Sequence, residues 1–95
     1  MKDKRLSKII DTIVGSVNPE RIILFGSRSK GGFRKSADYD LAIDGNQISF
    51  RRKRQLSEQL EETLGLHGLD LIHLSEVDAK FRKIILNTGL IIYER

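Results

Sequence analysis

The fold of this chain is decided by the stretch Arg21-Ile22-Ile23-Leu24-Phe25-Gly26-Ser27 and, after ten further residues, by Asp38-Tyr39-Asp40-Leu41-Ala42-Ile43. The first part is a continuous apolar run of strand length that a glycine ends, which is typical of a central strand covered on both faces. The second part predicts another strand. Because successive side chains of a strand alternate between its faces, Asp38 and Asp40 should share one face, roughly 6 to 7 Å apart.

A pair of acids close behind a glycine turn indicates chemistry on phosphates. Two carboxylates on one face repel each other unless a cation lies between them, and a hard ion such as Mg²⁺ takes oxygen ligands and bridges to substrate phosphates. The backbone amides after Gly26, together with Ser27, can hold the terminal phosphates, and Arg28 and Lys30 can neutralise their charge. The pattern predicts a metal-dependent phosphoryl or nucleotidyl transfer site.

Apolar spacing and turn residues predict the elements around these two strands. The others are, in order, a helix at Leu6–Val17, a helix at Phe50–Leu64 that Gly65 caps, a strand at Leu69–Leu74, a helix after an N-cap at Ser75 with Val77, Phe81, Ile84 and Ile85 as its buried stripe, and a strand-like tail at 90–93. Whether the tail joins the sheet stays open. This order predicts an α/β (α+β) fold in which a small mixed β-sheet carries helices packed on one face.

A third acid is expected to join the pair from the next strand. Asp70 has the parity of Ile72, so both point to the face opposite Leu71. If this strand lies beside that of Asp38 and Asp40, three carboxylates can surround one or two metal ions. In that arrangement Asp38 and Asp40 hold the metal, and Asp70 holds it or takes the proton of an incoming hydroxyl.

Composition limits the class of protein. The 95 residues, 39% hydrophobic and 32% charged, predict one globular domain over 1–95. No segment approaches the roughly 20 apolar residues of a membrane span, and the absence of cysteine fits the cytoplasm, where we expect the protein. A net charge of +4 suits a nucleotide, a nucleic acid or an acidic partner protein without choosing among them.

Four blocks of the sequence resemble the minimal nucleotidyltransferases of the DNA polymerase beta superfamily. Residues 24–28 and 36–43 resemble the Gly-Ser and Asp-x-Asp blocks of that family, 70–72 resembles its third-acid strand, and 89–93 resembles its ending. Ser29-Lys30 stands where many relatives carry alanine and arginine. The resemblance implies a polymerase-beta-like nucleotidyltransferase fold over the whole chain.

The resemblance also implies an activity and a partner. It points to the antitoxin of a two-gene pair whose toxin is a HEPN-domain ribonuclease, and to transfer of AMP from ATP to a tyrosine hydroxyl of that toxin. Mg²⁺ is the implied cofactor and ATP, a nucleoside triphosphate, the implied substrate. The acceptor surface would then come from the partner, in an oligomer or a hetero-complex.

Two other function classes stay open. A binding module could keep the fold and inhibit the toxin by occlusion alone, without catalysis. The run Arg51-Arg52-Lys53-Arg54 could bind nucleic acid, as in a small repressor, but charges that open a helix more often form a solvated face. Because no recognised DNA-reading motif accompanies the run, direct nucleic-acid binding is the least favoured interpretation.

Overall fold

A computed structural model describes residues 4–26, 39–65 and 68–95 of the chain. Its elements are α1 (Lys4–Val17), β1 (Arg21–Phe25), β2 (Tyr39–Asp44), α2 (Phe50–Leu64), β3 (Leu69–His73), a 3₁₀ turn (Leu74–Glu76), α3 (Ala79–Thr88) and β4 (Leu90–Glu94). The predicted fold class, a mixed α/β arrangement around a small sheet, is confirmed. Among the described residues, no helix has the length and apolar character needed to cross a bilayer.

The four strands form one sheet in the order β3-β2-β1-β4. β1 runs antiparallel to β2 and β4, and β2 runs parallel to β3. A parallel pair needs a long crossover, and α2 provides it. The tail, whose pairing the sequence left open, is therefore an edge strand of the sheet, with a bulge between Ile22 and Ile23 in its pairing with β1.

The main core lies between one face of the sheet and the helices α1 and α2. Both helices bury a stripe of side chains at three- and four-residue spacing, as an amphipathic helix does. Burial of each large apolar side chain contributes roughly 1.5–3 kcal/mol. The buried members are Leu6, Ile9 and Ile13 of α1, Leu56, Leu60 and Leu64 of α2, and Ile22, Leu24, Tyr39, Leu41, Ile43 and Leu71 of the sheet.

The opposite face of the sheet is partly covered by α3, which departs from the one-sided arrangement expected from the sequence. Ile85 of α3 packs with Ile23, Phe25 and Ala42 in a second, smaller cluster that also contains Leu74. The physical reason lies in β1, whose alternate side chains are apolar on both faces. A second layer must cover them, and within the described part of the chain α3 packs there.

The start of α3 also differs from expectation. Its N-cap is Asp78 rather than Ser75, and the Asp78 carboxylate accepts a hydrogen bond from the Phe81 backbone N–H at 2.7 Å. Ser75 lies in the 3₁₀ turn, where its hydroxyl lies 2.8 Å from Nδ1 of His73, so the side-chain oxygen that would cap a helix is engaged with the histidine ring. Of the expected buried stripe only Ile85 is buried; Phe81 and Ile84 are 39% and 50% exposed.

The helix α2 matches its predicted limits at both ends. The Ser49 hydroxyl accepts a hydrogen bond from the Arg52 N–H, and Gly65 closes the helix with φ 64° while its N–H donates to the Glu61 carbonyl. The first residue, Phe50, is 79% exposed and does not join the buried stripe below it.

Candidate active site

Asp40 and Asp70 are direct neighbours on the two parallel strands β2 and β3. Side chains in register on adjacent strands point to the same face, and adjacent strands lie about 4.8 Å apart. Asp40 is half-buried, whereas Asp70 is exposed. The structure thus brings together two of the three predicted acids, on the sheet face that α3 partly covers.

The residues beside each acid hold it on that face. Tyr39 and Leu41, which flank Asp40, are buried against α1 and α2, and Leu71, next to Asp70, is buried with them. A slip of one residue in either strand would turn its carboxylate into this core and its apolar side chains into water. The register of both strands is therefore strongly determined, and with it the placement of the acids.

Gly26 brings the main chain to the edge of the same site. It follows Phe25, which lies opposite Asp40 in the antiparallel pair of β1 and β2. Its φ is +73°, a left-handed conformation that favours glycine, and a Cβ added there would lie 3.1 Å from Asp40 Cγ and closer still to Asp40 Oδ2. Only a residue without a side chain lets the backbone pass so close to the carboxylate.

The other predicted site residues lie outside the described part of the chain. These are Ser27, Arg28, Lys30 and Asp38. Within 4–26, 39–65 and 68–95 no group of three His, Asp or Glu side chains is close enough to hold a metal ion. Asp38, one of the three predicted acids, is missing from that search, so the catalytic and nucleotide-binding roles of these residues stay predictions.

The described pair of acids fits a hard divalent cation. Two carboxylates side by side supply oxygen ligands of the kind Mg²⁺ prefers, and their mutual repulsion favours a cation between them. The exposure of Asp70 leaves room for water or phosphate oxygens, which Mg²⁺ usually keeps among its ligands. The sequence prediction of Mg²⁺ is therefore chemically consistent with this face of the sheet.

An aromatic pair that the sequence interpretation missed stands beside the acids. Phe25 shares the face of Asp40 and is 9% exposed. Its ring meets that of Phe81 edge to face, with centroids 6.0 Å apart and an interplanar angle of 83°. Alternation within β1 could not have placed Phe25 on the face of Asp40, because that depends on how β1 pairs with β2. The position of Phe81 depends in turn on how α3 crosses the sheet.

Comparison with known proteins identifies the family of this chain. The family described as polymerase beta, nucleotidyltransferase matches residues 7–95. The chain belongs to this nucleotidyltransferase family. It is 32% identical over 89 residues to the probable protein adenylyltransferase MntA of Haemophilus influenzae, a match that covers 92% of this chain and 78% of that protein. The resemblance predicted from the sequence blocks is confirmed.

Solved structures of toxin-antitoxin complexes share the fold of this nucleotidyltransferase. A toxin-antitoxin structure with AMP-PNP aligns with a TM-score of 0.84 at 21% identity, covering 98% of this chain and 75% of that chain. The structure of a tri-AMPylated Shewanella oneidensis HEPN toxin with its MNT antitoxin aligns with a TM-score of 0.80 at 21% identity, covering 100% of this chain and 74% of that chain. At this level of identity the likeness establishes the fold.

A buried histidine ends β3, the strand that carries Asp70, and hydrogen-bonds neighbouring backbone groups. His73 is 1% exposed, and its Nε2 lies 2.9 Å from the Asn46 carbonyl oxygen, which only an N–H can satisfy. Its Nδ1 accepts from the Ser75 backbone N–H at 3.1 Å, and the Ser75 hydroxyl lies 2.8 Å from the same nitrogen. The ring therefore carries an N–H at Nε2 and accepts at Nδ1, and these contacts assign His73 a structural role. His67 lies outside the described residues.

The basic run of α2 lies away from the acids in this nucleotidyltransferase. Asp40 is the second residue of β2, and α2 begins beyond the opposite end of that strand. Arg54 pairs with Glu58 at 3.5 Å, and Lys53 pairs with Glu76 at 3.4 Å. Two cations of the run are therefore paired with acids of the chain itself, Arg54 on the exposed helix face and Lys53 with the 3₁₀ turn, which does not favour a binding role for the run.

Proposed function

We propose that this protein is a Mg²⁺-dependent nucleotidyltransferase that moves AMP from ATP to a tyrosine hydroxyl of a HEPN-domain toxin, and that it acts as the antitoxin of that toxin. The observation that carries the proposal is the in-register pair of Asp40 and Asp70 beside the close turn at Gly26. Membership of the nucleotidyltransferase family and the protein adenylyltransferase named among its relatives support it. The toxin-antitoxin complexes with AMP-PNP and with an AMPylated toxin support the substrate and the partner.

The proposed site divides its residues by task. Asp38, Asp40 and Asp70 would hold the Mg²⁺, which when bound neutralises charge on the phosphates and on the leaving group. The turn from Gly26 would place its backbone amides and the Ser27 hydroxyl on the terminal phosphates, with Arg28 and Lys30 balancing their charge. That list of seven residues is the one predicted from the sequence.

The transfer requires an acceptor hydroxyl that is aligned with the bond to the leaving pyrophosphate and that loses its proton. The phenol oxygen of the acceptor attacks the α-phosphorus of ATP, a new oxygen-phosphorus bond forms, and the bond to the leaving pyrophosphate breaks. We assign the phenol proton to the Asp70 carboxylate, from which it passes to water. The exposure of Asp70 makes it the described acid best placed to meet an incoming side chain.

The proposal places the reaction in the cytoplasm, within a complex of this chain and the toxin. The chain contributes the nucleotide site, and the toxin contributes the accepting tyrosine. The candidate for nucleic-acid binding is the basic run of α2. The ion pairs of Lys53 and Arg54 do not favour that role.

Label transfer tests the proposal directly. Purified protein, Mg²⁺ and the toxin encoded by the neighbouring gene are incubated with ATP labelled either at the α- or at the γ-phosphate. We expect α-label, and no γ-label, on a toxin tyrosine located by mass spectrometry. Asp40→Asn and Asp70→Asn should reduce transfer by about 100-fold or more, in the range of lost catalytic groups.

A matched control separates charge from catalysis. Asp11→Asn removes one exposed acid from α1, on the other face of the sheet, and should leave the transfer rate unchanged. If neither acid variant affects transfer, the assigned site is wrong. If both variants lose transfer but still neutralise the toxin in cells, inhibition comes from occlusion and the binding-module interpretation is correct.

A further inference from the structure

We propose that Phe81 is a specificity-determining residue of this site, whose exposed ring receives the aromatic side chain that carries the accepting hydroxyl on the partner protein. The inference rests on the proposed function and deepens it, because it names the surface that selects the acceptor. The face of the sheet that carries the acids then has two parts, one that binds the nucleotide and one that binds the acceptor.

The position of Phe81 relative to the acids follows from the strand register. Phe25, Asp40 and Asp70 are cross-strand neighbours, so they form one row across a single face of the sheet. The ring of Phe81 contacts the ring of Phe25 edge to face, with centroids 6.0 Å apart. Phe81 therefore contacts the residue that is the cross-strand neighbour of Asp40.

The ring is held in place although it is exposed. Its backbone N–H donates to the capping carboxylate of Asp78, and the next residue, Arg82, donates from Nε to the Leu74 carbonyl at 2.9 Å and from its terminal nitrogen to the Val77 carbonyl at 3.1 Å. The edge-to-face contact with Phe25 orients the ring itself. An aromatic ring fixed in this way loses little conformational entropy when it binds, which is the property of an interface anchor.

The surrounding surface favours a protein segment over a nucleobase as the occupant. The apolar surface continues from Phe81 to Ile84, which is 50% exposed and lies one turn further along the same helix. Exposed lysines at 80 and 83 stand beside these two residues. A single base needs one stacking platform, whereas two apolar side chains one helical turn apart, bordered by lysines, match a peptide that carries an aromatic residue and acidic neighbours.

Separate kinetic constants for the two substrates test this assignment. With the toxin as acceptor and Mg-ATP as donor, Phe81→Ala should raise the KM for the toxin about tenfold or more, in the range of a truncated aromatic anchor, while the KM for ATP stays within about twofold. Phe81→Tyr, which keeps the ring and its contact with Phe25, should retain the wild-type value. Leu86→Ala is the matched control, since Leu86 is 43% exposed on the same helix but points about 140° away, and should change neither constant.

Direct binding keeps the inference testable if transfer fails. Calorimetric titration of the toxin into wild type and Phe81→Ala should show affinity reduced about tenfold for the variant, with unfolding curves confirming that both proteins are folded. If wild type transfers no AMP, the proposed function fails, and the binding comparison still decides the role of Phe81. A raised KM for ATP alone would assign the ring to the base and overturn the inference, as would unchanged toxin KM and affinity.

Discussion

Gly26 lies against the carboxylate of Asp40 so closely that a Cβ at position 26 would stand 3.1 Å from Asp40 Cγ and nearer still to Oδ2. The turn that ends β1 and the acid that begins the row of carboxylates are therefore parts of one packed unit. A change at either residue should displace the other.

Gly26→Ala should impair both folding and transfer. The substitution places a Cβ on a residue with φ +73°, which costs about 1–2 kcal/mol, and adds a clash with Asp40. We expect a lower unfolding temperature and loss of AMP transfer. Gly15→Ala is the matched control, because nothing lies within 4 Å of a Cβ there and alanine in a helix should raise stability by about 0.5–1 kcal/mol. Equal effects of the two substitutions would contradict the prediction.

Asp70→Asn should make the protein more stable and less active. Like charges directly opposite on neighbouring strands destabilise a sheet, and removing one of them should add about 0.2–1 kcal/mol of stability in metal-free buffer. Calorimetric unfolding in EDTA measures the gain. Added Mg²⁺ should raise the unfolding temperature of wild type more than that of the variant, because a ligand stabilises only the state that binds it. A variant less stable than wild type in EDTA would show that the two acids do not repel each other in the folded protein.

His73→Leu should destabilise the chain through lost hydrogen bonds. The substitution removes the ring that now bonds both the Asn46 carbonyl and the Ser75 N–H, and each of these hydrogen bonds contributes about 0.5–1.5 kcal/mol. Chemical denaturation should report the loss. Ser75→Ala keeps the backbone bond and removes only the hydroxyl, so it should cost less than about 1 kcal/mol. The interpretation of His73 as a bridge would be wrong if Ser75→Ala proved the more damaging change.

Asp78→Ala should weaken α3 at its start. The carboxylate accepts the Phe81 N–H at 2.7 Å, and loss of such a cap costs about 0.5–2 kcal/mol. Asp78→Asn keeps a capping oxygen and should remain close to wild type in thermal unfolding. Since the cap also positions Phe81, the alanine variant should weaken toxin binding more than the asparagine variant does. Equal stability of the two variants would contradict the assignment of Asp78 as the cap of α3.

Sequence alone determined the parts of this protein that depend on local patterns. The limits of β1 and α2 agree with expectation because a glycine ends each of them and the apolar spacing of each is unambiguous. The alternation of strand side chains already put Asp40 on the face opposite Leu41, and Asp70 on the face opposite Leu71. The family blocks around Gly26 and Asp40 then predicted the nucleotidyltransferase family, which the comparison confirmed.

Only the tertiary structure decided which of these elements meet. The pairing of β4 with β1, the parallel neighbourhood of β2 and β3, and the crossing of α3 over the second face are contacts between segments far apart in the chain. Each contact depends on which sheet edge or apolar face the other elements leave uncovered, and a local sequence pattern does not determine that. The same dependence explains why the helical spacing of Phe81 predicts a core residue, whereas the structure leaves it 39% exposed and in contact with Phe25, the cross-strand neighbour of Asp40.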